Sequence, residues 1–305
     1  MQLKLLLFNL ENFFLPDEEA FPSRTGYKPE EKIQAIKDII EETDPDISML
    51  LEIGGVQSLK SFSQNYLNSA YTPMILPGNS DRGIEMGYLT KKSLPYQFKI
   101  FSHKDREIDF NYPHEKNSTS LKFSRDISEL RIFDNQNLKC IILLVHLKSK
   151  WDREGIDYNG ILRREAEVKS LVKLYNEYQN LFPNIPIILS GDMNGIAQLS
   201  ECEREFKSIY EKTDLKDFFE YSTIPPKERI TFYQFIKNGP TNGLQLDYIF
   251  VPKSLAQCID FSKSAIYQFK SKETKMPLQP PKKVFDRYAL PSDHYPIILT
   301  INFPK

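Results

Sequence analysis

Six short apolar stretches of this chain each run into, or out of, a carboxylate, amide or imidazole. KLLLFNL meets Asn9 and Glu11, DISMLLEI carries Glu52, and IILLV closes on His146. IPIILSG closes on Asp192 and Asn194, LQLDYIFV carries Asp247, and HYPIILTIN is opened by Asp293 and His294. Runs this short, bounded by polar turn residues, suit buried strands. A fold for this sequence therefore has to bury many strands and do something with the polar groups at their ends. Strand ends that converge are good places for a site, because rigid elements hold side chains more precisely than loops do.

The first run lies beside Met1 and could be an export signal, a membrane anchor or a strand. A signal peptide needs roughly 7 to 15 apolar residues before a small-residue cleavage site, and a membrane helix about 18 or more. Lys4 interrupts this run and Asn9, Glu11 and Asn12 follow at once, so a strand buried on both faces is expected, in a soluble, cytoplasmic protein with no membrane insertion. The 305 residues show no Gly/Ser linker and no internal repeat, and one domain spanning 1–305 is expected. The only loose-looking stretch is KSKETKMPLQPPKKVFDR, whose prolines and lysines suggest an exposed loop. Cys140, Cys202 and Cys258 are odd in number and far apart, which argues against a disulfide framework.

In chain order, an amphipathic helix with Ile33, Ile36, Ile39 and Ile40 on one face separates the first two strands. A long all-β stretch follows through EMGYLTKK, YQFKIFS, ISELRIFD and LKCIILLVHL. The longest helix puts Leu162, Val168, Leu171, Val172, Tyr175 and Tyr178 on one stripe, with Arg164, Lys169 and Lys173 opposite. Many strands with a few amphipathic helices give an α/β fold in which two stacked sheets are covered by helices.

Singly, each polar residue has a structural explanation: Asn9 or Asn194 capping a turn, Glu52 a solvated strand end, Asp247 a buried acid paired with an arginine. Together they form an acid-rich cluster holding two of the four histidines, which suits a hard-metal site with a general acid/base beside it. Oxygen donors favour Mg²⁺ or Mn²⁺ over zinc, and neither HExxH nor CxxC is present. Mg²⁺ usually takes one or two carboxylates plus a substrate phosphate, so Glu11, Glu52 and Asp293 are candidate ligands and a phosphoester is the natural substrate class.

The motifs FNLENFF, LLEIGG, DRGIEMGYL, FSRDISELRI, VHLKSK, LSGDMNG, LDYIFV and SDHYPI occur in that order across residues 1 to about 300. In this register they resemble the endonuclease/exonuclease/phosphatase (DNase I-like) superfamily, and most closely its bacterial nuclease-like branch. The resemblance implies a four-layer α/β sandwich of two mainly antiparallel stacked sheets flanked by helices, and metal-dependent phosphoester hydrolysis. It implies Glu52 as principal metal ligand with Glu11 and Asp293 near the ion, and Asn9 orienting these groups. Asp192 as base and Asn194 would align the attacking water, and His294, partnered by Asp247, would bind phosphoryl oxygens. His146 matches a second active-site histidine of DNase I-like members. A carboxylate beside His294 would favour its charged form. Lys148 and Ser149 could hold a phosphate, a solvated strand-end lysine being the other reading of Lys148. Arg82 and Arg125 suit a phosphate fork, with a structural ion pair as the rival. Arg163 and Arg164 could line the groove's rim or simply be solvated. His103 and His114 are given no role.

Forty basic and 41 acidic residues leave a formal charge of −1, without the basic excess of a dedicated nucleic-acid binder. That leaves room for a nuclease whose groove uses Arg82, Arg125, Lys148 and Lys150. The first expectation is thus a Mg²⁺-dependent nuclease acting on DNA or RNA, with a monomer favoured. The alternative is a metal-dependent phosphatase or phosphodiesterase on a small phosphorylated ligand or lipid headgroup. A non-enzymatic binding module is a third reading, opposed by competent side chains at every expected catalytic position.

Overall fold

Alternation along the first strand sets the layers. Strand β1 (Gln2–Phe13) turns Leu3, Leu5 and Leu7 into one core and Leu6, Phe8 and Leu10 into another, as a period of two requires. The computed structural model describes residues 1–16, 26–112, 121–152, 155–236 and 239–303. His114 lies outside the described residues. After β1 come helix α1 (Glu30–Thr43), β2 (Ile47–Ile53), α2 (Val56–Asn65), β3 (Tyr71–Ile75) and β4 (Glu85–Lys91). Then follow β5 (Gln97–Ser102), the short β6 (Glu107–Ile108) and β7 (Leu121–Lys122), β8 (Ile127–Asp134), β9 (Asn137–His146), α3 (Ile161–Leu181) and β10 (Ile187–Asp192). The last part holds α4 (Lys207–Lys212), β11 (Leu215–Asp217), β12 (Phe232–Phe235), β13 (Thr241–Leu244), β14 (Asp247–Pro252), β15 (Ala265–Ile266), α5 (Val284–Arg287) and β16 (Ile297–Asn302).

The first sheet runs β15-β16-β1-β2-β4-β3 and the second β11-β14-β10-β9-β8-β5. In each, only the central pair is parallel, β1 with β2 and β10 with β9. Each of these pairs is linked through a helix, α1 or α3, because a parallel connection needs a crossover. All the other pairings within the two sheets are antiparallel. The expected α/β sandwich of two mainly antiparallel sheets is what the chain forms.

Between the sheets lie Leu5, Leu7, Met49, Leu51, Ile142, Leu144, Ile188 and Ile249. The outer face of β1 and β2 packs on Ile33, Ile36, Ile39 and Ile40 of α1. The outer face of β9 and β10 packs on Val168, Leu171, Val172 and Tyr175 of α3. A fully buried side chain of this kind contributes about 1.5–3 kcal/mol relative to exposure. These are the four layers: helix, sheet, sheet, helix.

Two expectations need correction. Arg164 is not on the exposed face with Lys169 and Lys173; it is 1% exposed, bound through Nε and a terminal nitrogen to Glu205 Oε1 at 3.2 and 2.7 Å. The first strand also does not stop at Glu11 but kinks there and continues to Phe13. The KSKETKMPLQPPKKVFDR segment is mostly exposed, and among the described residues no helix is long and apolar enough to cross a membrane. The three cysteines are free thiols, with Cys140 in the core between the sheets.

Candidate active site

Strand register places Asp192 at the centre. It is the residue opposite His146 across the parallel β10/β9 ladder and opposite Asp247 across the antiparallel β10/β14 ladder. Gly191, just before it, lets the strands approach so closely: its φ is +146°, and an added Cβ would lie 1.8 Å from the Val145 carbonyl oxygen. After Asp192 the chain turns through Asn194, whose φ is +53°. The Asn194 N–H donates to Asp192 Oδ1 at 2.8 Å and its side-chain amide to the Leu147 carbonyl at 3.0 Å.

The first sheet supplies the opposite wall. Asn9 is buried, and its Nδ2 donates across the sheets to Asp192 Oδ2 at 3.1 Å while its Oδ1 accepts from the Glu11 N–H at 3.1 Å. The β1/β2 register shifts between Asn9 and Phe13. Within that bulge Glu11 and Asn12, and Glu52 on the neighbouring strand, all have positive φ, at 49°, 52° and 60°. Non-glycine residues rarely adopt such conformations, which cost of order 1–3 kcal/mol each and cluster at functional sites. Here they aim Glu11 and Glu52 at the sheet edge, and the Asn12 N–H donates to Glu52 Oε2 at 2.9 Å.

Asp293 and His294 arrive on the turn before β16. The Ser292 hydroxyl donates to the Asn9 carbonyl at 2.7 Å and accepts from the His294 N–H at 3.1 Å, tying this turn to β1. His294 Nδ1 meets Asp247 Oδ2 at 2.7 Å, and its Nε2 lies 3.8 Å from Asp192 Oδ2. His146 Nε2 lies 3.6 Å from the same oxygen and 3.9 Å from Glu52 Oε1. The ring of Phe232 covers His294, centroids 5.0 Å apart.

The two imidazoles are driven to opposite charge states. Burial works against charge on His294, but the carboxylates of Asp247, Asp293 and Asp192 outweigh it and hold its pKa well above the usual value. His146 is pushed well below it, by burial first and then by Arg125. An imidazolium and a neutral imidazole therefore flank Asp192. Burial raises Asp192 to about 7 against the opposing pull of His294, and Asp247 adds to the rise.

Among the sequence-derived substrate residues, Arg82 bonds to Asn12 Oδ1 and lies 3.8 Å from Glu52. Arg125 is buried and donates to the Leu147 carbonyl at 2.9 Å, while its Nε has no hydrogen-bond partner among the described residues. Arg82 is thus in an ion pair, with a glutamate rather than the aspartate of the rival reading. Lys148 is half-buried; its Nζ donates to the carbonyls of Ser149, at 3.1 Å, and Trp151. Ser149 is half-buried on the same loop. His103, given no role, binds Glu129 at 2.7 Å, outside this cluster.

Sequence reasoning missed the braces. Glu167 of α3, fully buried, accepts from the Lys148 N–H at 2.8 Å and the Ser124 N–H at 2.7 Å. Arg164 donates to the Lys148 carbonyl at 2.9 Å. Lys28 Nζ donates to the Leu10 and Glu11 carbonyls at 2.8 Å each, and Lys28, Lys32 and Arg287 all contact the Glu11 carboxylate. Burial works to raise the Glu11 pKa, but these three cations lower it. Arg287 also reaches Asp293.

The donor set suits a divalent cation. Burial raises the Asp293 carboxyl, and Glu11 and Glu52 push it further, so acidic oxygens are crowded where a positive ion would relieve them. Glu11 already meets three cations and Asp293 meets Arg287, whereas Glu52 lies 3.8 Å from Arg82. Asp192, Asp247 and His294 also lie within 4.8 Å of one another. A charged His294 whose Nδ1 is bound to Asp247 is a poor metal ligand, since coordination requires the neutral ring.

No family model and no curated protein matches the sequence. Solved structures do. An endonuclease/exonuclease/phosphatase from Bacteroides vulgatus is 14% identical with a TM-score of 0.63, covering 100% of both chains. D. rerio TDP2 complexed with a single-strand DNA product is 14% identical with a TM-score of 0.63, over 99% of both chains. The human Nocturnin catalytic domain with bound sulfate anion is 15% identical with a TM-score of 0.62, over 99% of this chain and 95% of that one. At such identities the likeness is one of fold alone, and it runs the length of the chain: this protein has the fold of the endonuclease/exonuclease/phosphatase from Bacteroides vulgatus, of TDP2 and of Nocturnin.

Proposed function

We propose that the chain is a metal-dependent phosphodiesterase, and within that class a Mg²⁺- or Mn²⁺-dependent nuclease acting on DNA or RNA. The observation that carries this reading is Asp192, set between a neutral and a charged imidazole and oriented by the Asn9 amide from the opposite sheet. A carboxylate poised near neutrality is suited to general-base work. The other supports are the fold and its relatives, among them a TDP2 structure that holds single-strand DNA product and a Nocturnin structure that holds a phosphate-like sulfate.

Asp192 and Asn194 hold a water in line with the phosphorus. The water oxygen forms the new P–O bond, its proton passes to Asp192, and the bond to the leaving alkoxide breaks on the far side. His294, kept cationic by Asp247, donates from Nε2 to a non-bridging oxygen where negative charge grows. His146, as a neutral ring, can orient the same group, and Arg82, Arg125, Lys148 and Ser149 line the phosphate path. Glu52 and Asp293, with Glu11 beside them, would hold the cation, which when bound supplies Lewis-acid stabilisation of phosphoryl oxygen.

Purified protein with Mg²⁺ or Mn²⁺ is incubated with supercoiled plasmid, single-stranded DNA, RNA, an abasic duplex and a panel of inositol phosphates. Cleavage of a nucleic acid is expected, falling about 10²- to 10⁴-fold in Asp192→Asn and His294→Ala. Release of phosphate from the inositol phosphates with no nucleic acid cut overturns the nuclease reading. Equal activity of wild type and both variants on every substrate overturns the site.

A further inference from the structure

Among the described residues, three large apolar side chains left in solvent fall close together on and just after α5. Val284 is 53% exposed, Phe285 80% and Tyr288, just past the helix, 67%. Lys282 and Lys283 precede them, both exposed. The Asp286 carboxylate accepts from the backbone N–H groups of Lys282 at 2.9 Å and Lys283 at 3.0 Å, which fixes this short turn. Arg287, on the same turn, is bound to Glu11 and Asp293 of the site. The Cα atoms of Phe285 and Tyr288 therefore lie within about 7 Å of that of Arg287, whose guanidinium reaches the site.

We propose that Phe285 and Tyr288, with Lys282 and Lys283, form a lip that takes the unpaired bases of a single-stranded nucleic acid next to the scissile phosphate. This rests on the phosphodiesterase reading of the site. The two rings stand 6.0 Å apart at 73°, so they make a corner: a base lying on one ring turns its edge to the other. Every base has a face that stacks on an aromatic ring, but in a duplex those faces are already covered by neighbouring pairs. The lysines supply the charge complementary to the flanking phosphates. Beside them a cavity of about 390 Å³, lined by Phe235, Thr241, Lys282, Lys283 and Val284, continues the lip. Stacking also suits a chain of net charge −1, which lacks the global electrostatic grip that duplex binders use.

The test uses the full chain, a fluorescein-labelled single-stranded DNA 12-mer and its duplex, with Ca²⁺ replacing Mg²⁺ for binding. Phe285→Ala and Tyr288→Ala are each expected to weaken single-strand binding about tenfold and to leave duplex binding unchanged. In a Trp151→Phe background, Phe285→Trp is expected to retain affinity, with indole fluorescence quenched by the single strand and not by the duplex. Hydrolysis of bis-p-nitrophenyl phosphate with Mg²⁺ is expected to be unchanged in all of these variants. Wild-type protein inert toward this diester removes the phosphodiesterase reading itself. An active double variant, Phe285→Ala with Tyr288→Ala, that binds single strand as tightly as wild type removes the lip alone. Loss of binding to phosphatidylserine vesicles in that variant, with single-strand affinity intact, assigns the patch to a membrane surface and overturns the proposal.

Discussion

Replacing Gly191 by alanine tests the strand register on which the site depends. The new Cβ would sit 1.8 Å from the Val145 carbonyl oxygen, where real contacts essentially never fall below 3.0 Å. The β9 and β10 backbones therefore have to part by about 1 Å, at the step that sets Asp192 opposite His146. A φ of +146° adds backbone strain for any residue with a side chain. Misplacement of a reacting group by about 1 Å costs roughly 10²-fold in rate, and the strained backbone about 1–3 kcal/mol in stability. Both are measurable on one preparation: thermal unfolding, and kcat/KM on bis-p-nitrophenyl phosphate at a temperature where the variant is fully folded. A fall of about 10²-fold per folded molecule, with a lowered Tm, is expected. Unchanged activity with a lowered Tm would show that the strands absorb the shift away from Asp192, and would refute the link between register and catalysis. No change in either would refute the close approach itself.

Two further outcomes follow from the buried charges. Burial raises Asp192 to about 7, and a base works only when deprotonated, so kcat/KM is expected to rise as pH climbs through about 7; an acid limb at the ordinary aspartate range, near 4, would contradict this. Arg164→Ala strands Glu205 as an unpaired buried carboxylate, and urea unfolding should show a loss of about 3–5 kcal/mol. A loss below about 1 kcal/mol would mean that the pair is not sealed from water as described.

The strands and the residues at their ends were legible because each signal is local. A strand buried on both faces is a continuous apolar run, and an acid or amide at its end stands out against it. Asn9, Glu52, His146, Asp192, Asp247 and His294 stood out in that way, and the structure gathers them at one edge. The braces were not legible, because each joins residues whose local context is ordinary. Arg164 sits in a helix beside Arg163 and looks like a surface residue until Glu205, 41 positions on, is folded against it. Lys28 lies just before α1, and nothing in its neighbours tells that its ammonium caps the carbonyls of a bulge in β1. Helix α2 escaped notice since only Ser58, Leu59, Phe62 and Ser63 of its ten residues are buried. The left-handed backbone at Glu11 and Glu52 is imposed by the bulge, and glutamate does not announce it, whereas asparagine, as at Asn194, visits that region more readily than most residues.

The hydrogen bond between Asn9 and Asp192 joins side chains 183 positions apart and crosses from one sheet to the other. Strand β1 in turn pairs with β16, Gln2 opposite Asn302, and His294 precedes that last strand. A polypeptide emerging from the ribosome can form the β1-α1-β2 and β9-α3-β10 units early, yet the cluster around Asp192 stays open until β16 closes the first sheet and the sheets dock. Contacts of such long sequence separation form late and slowly. The assembled cluster is thus withheld from the nascent chain, and its appearance during refolding reports the docking of finished sheets rather than their formation.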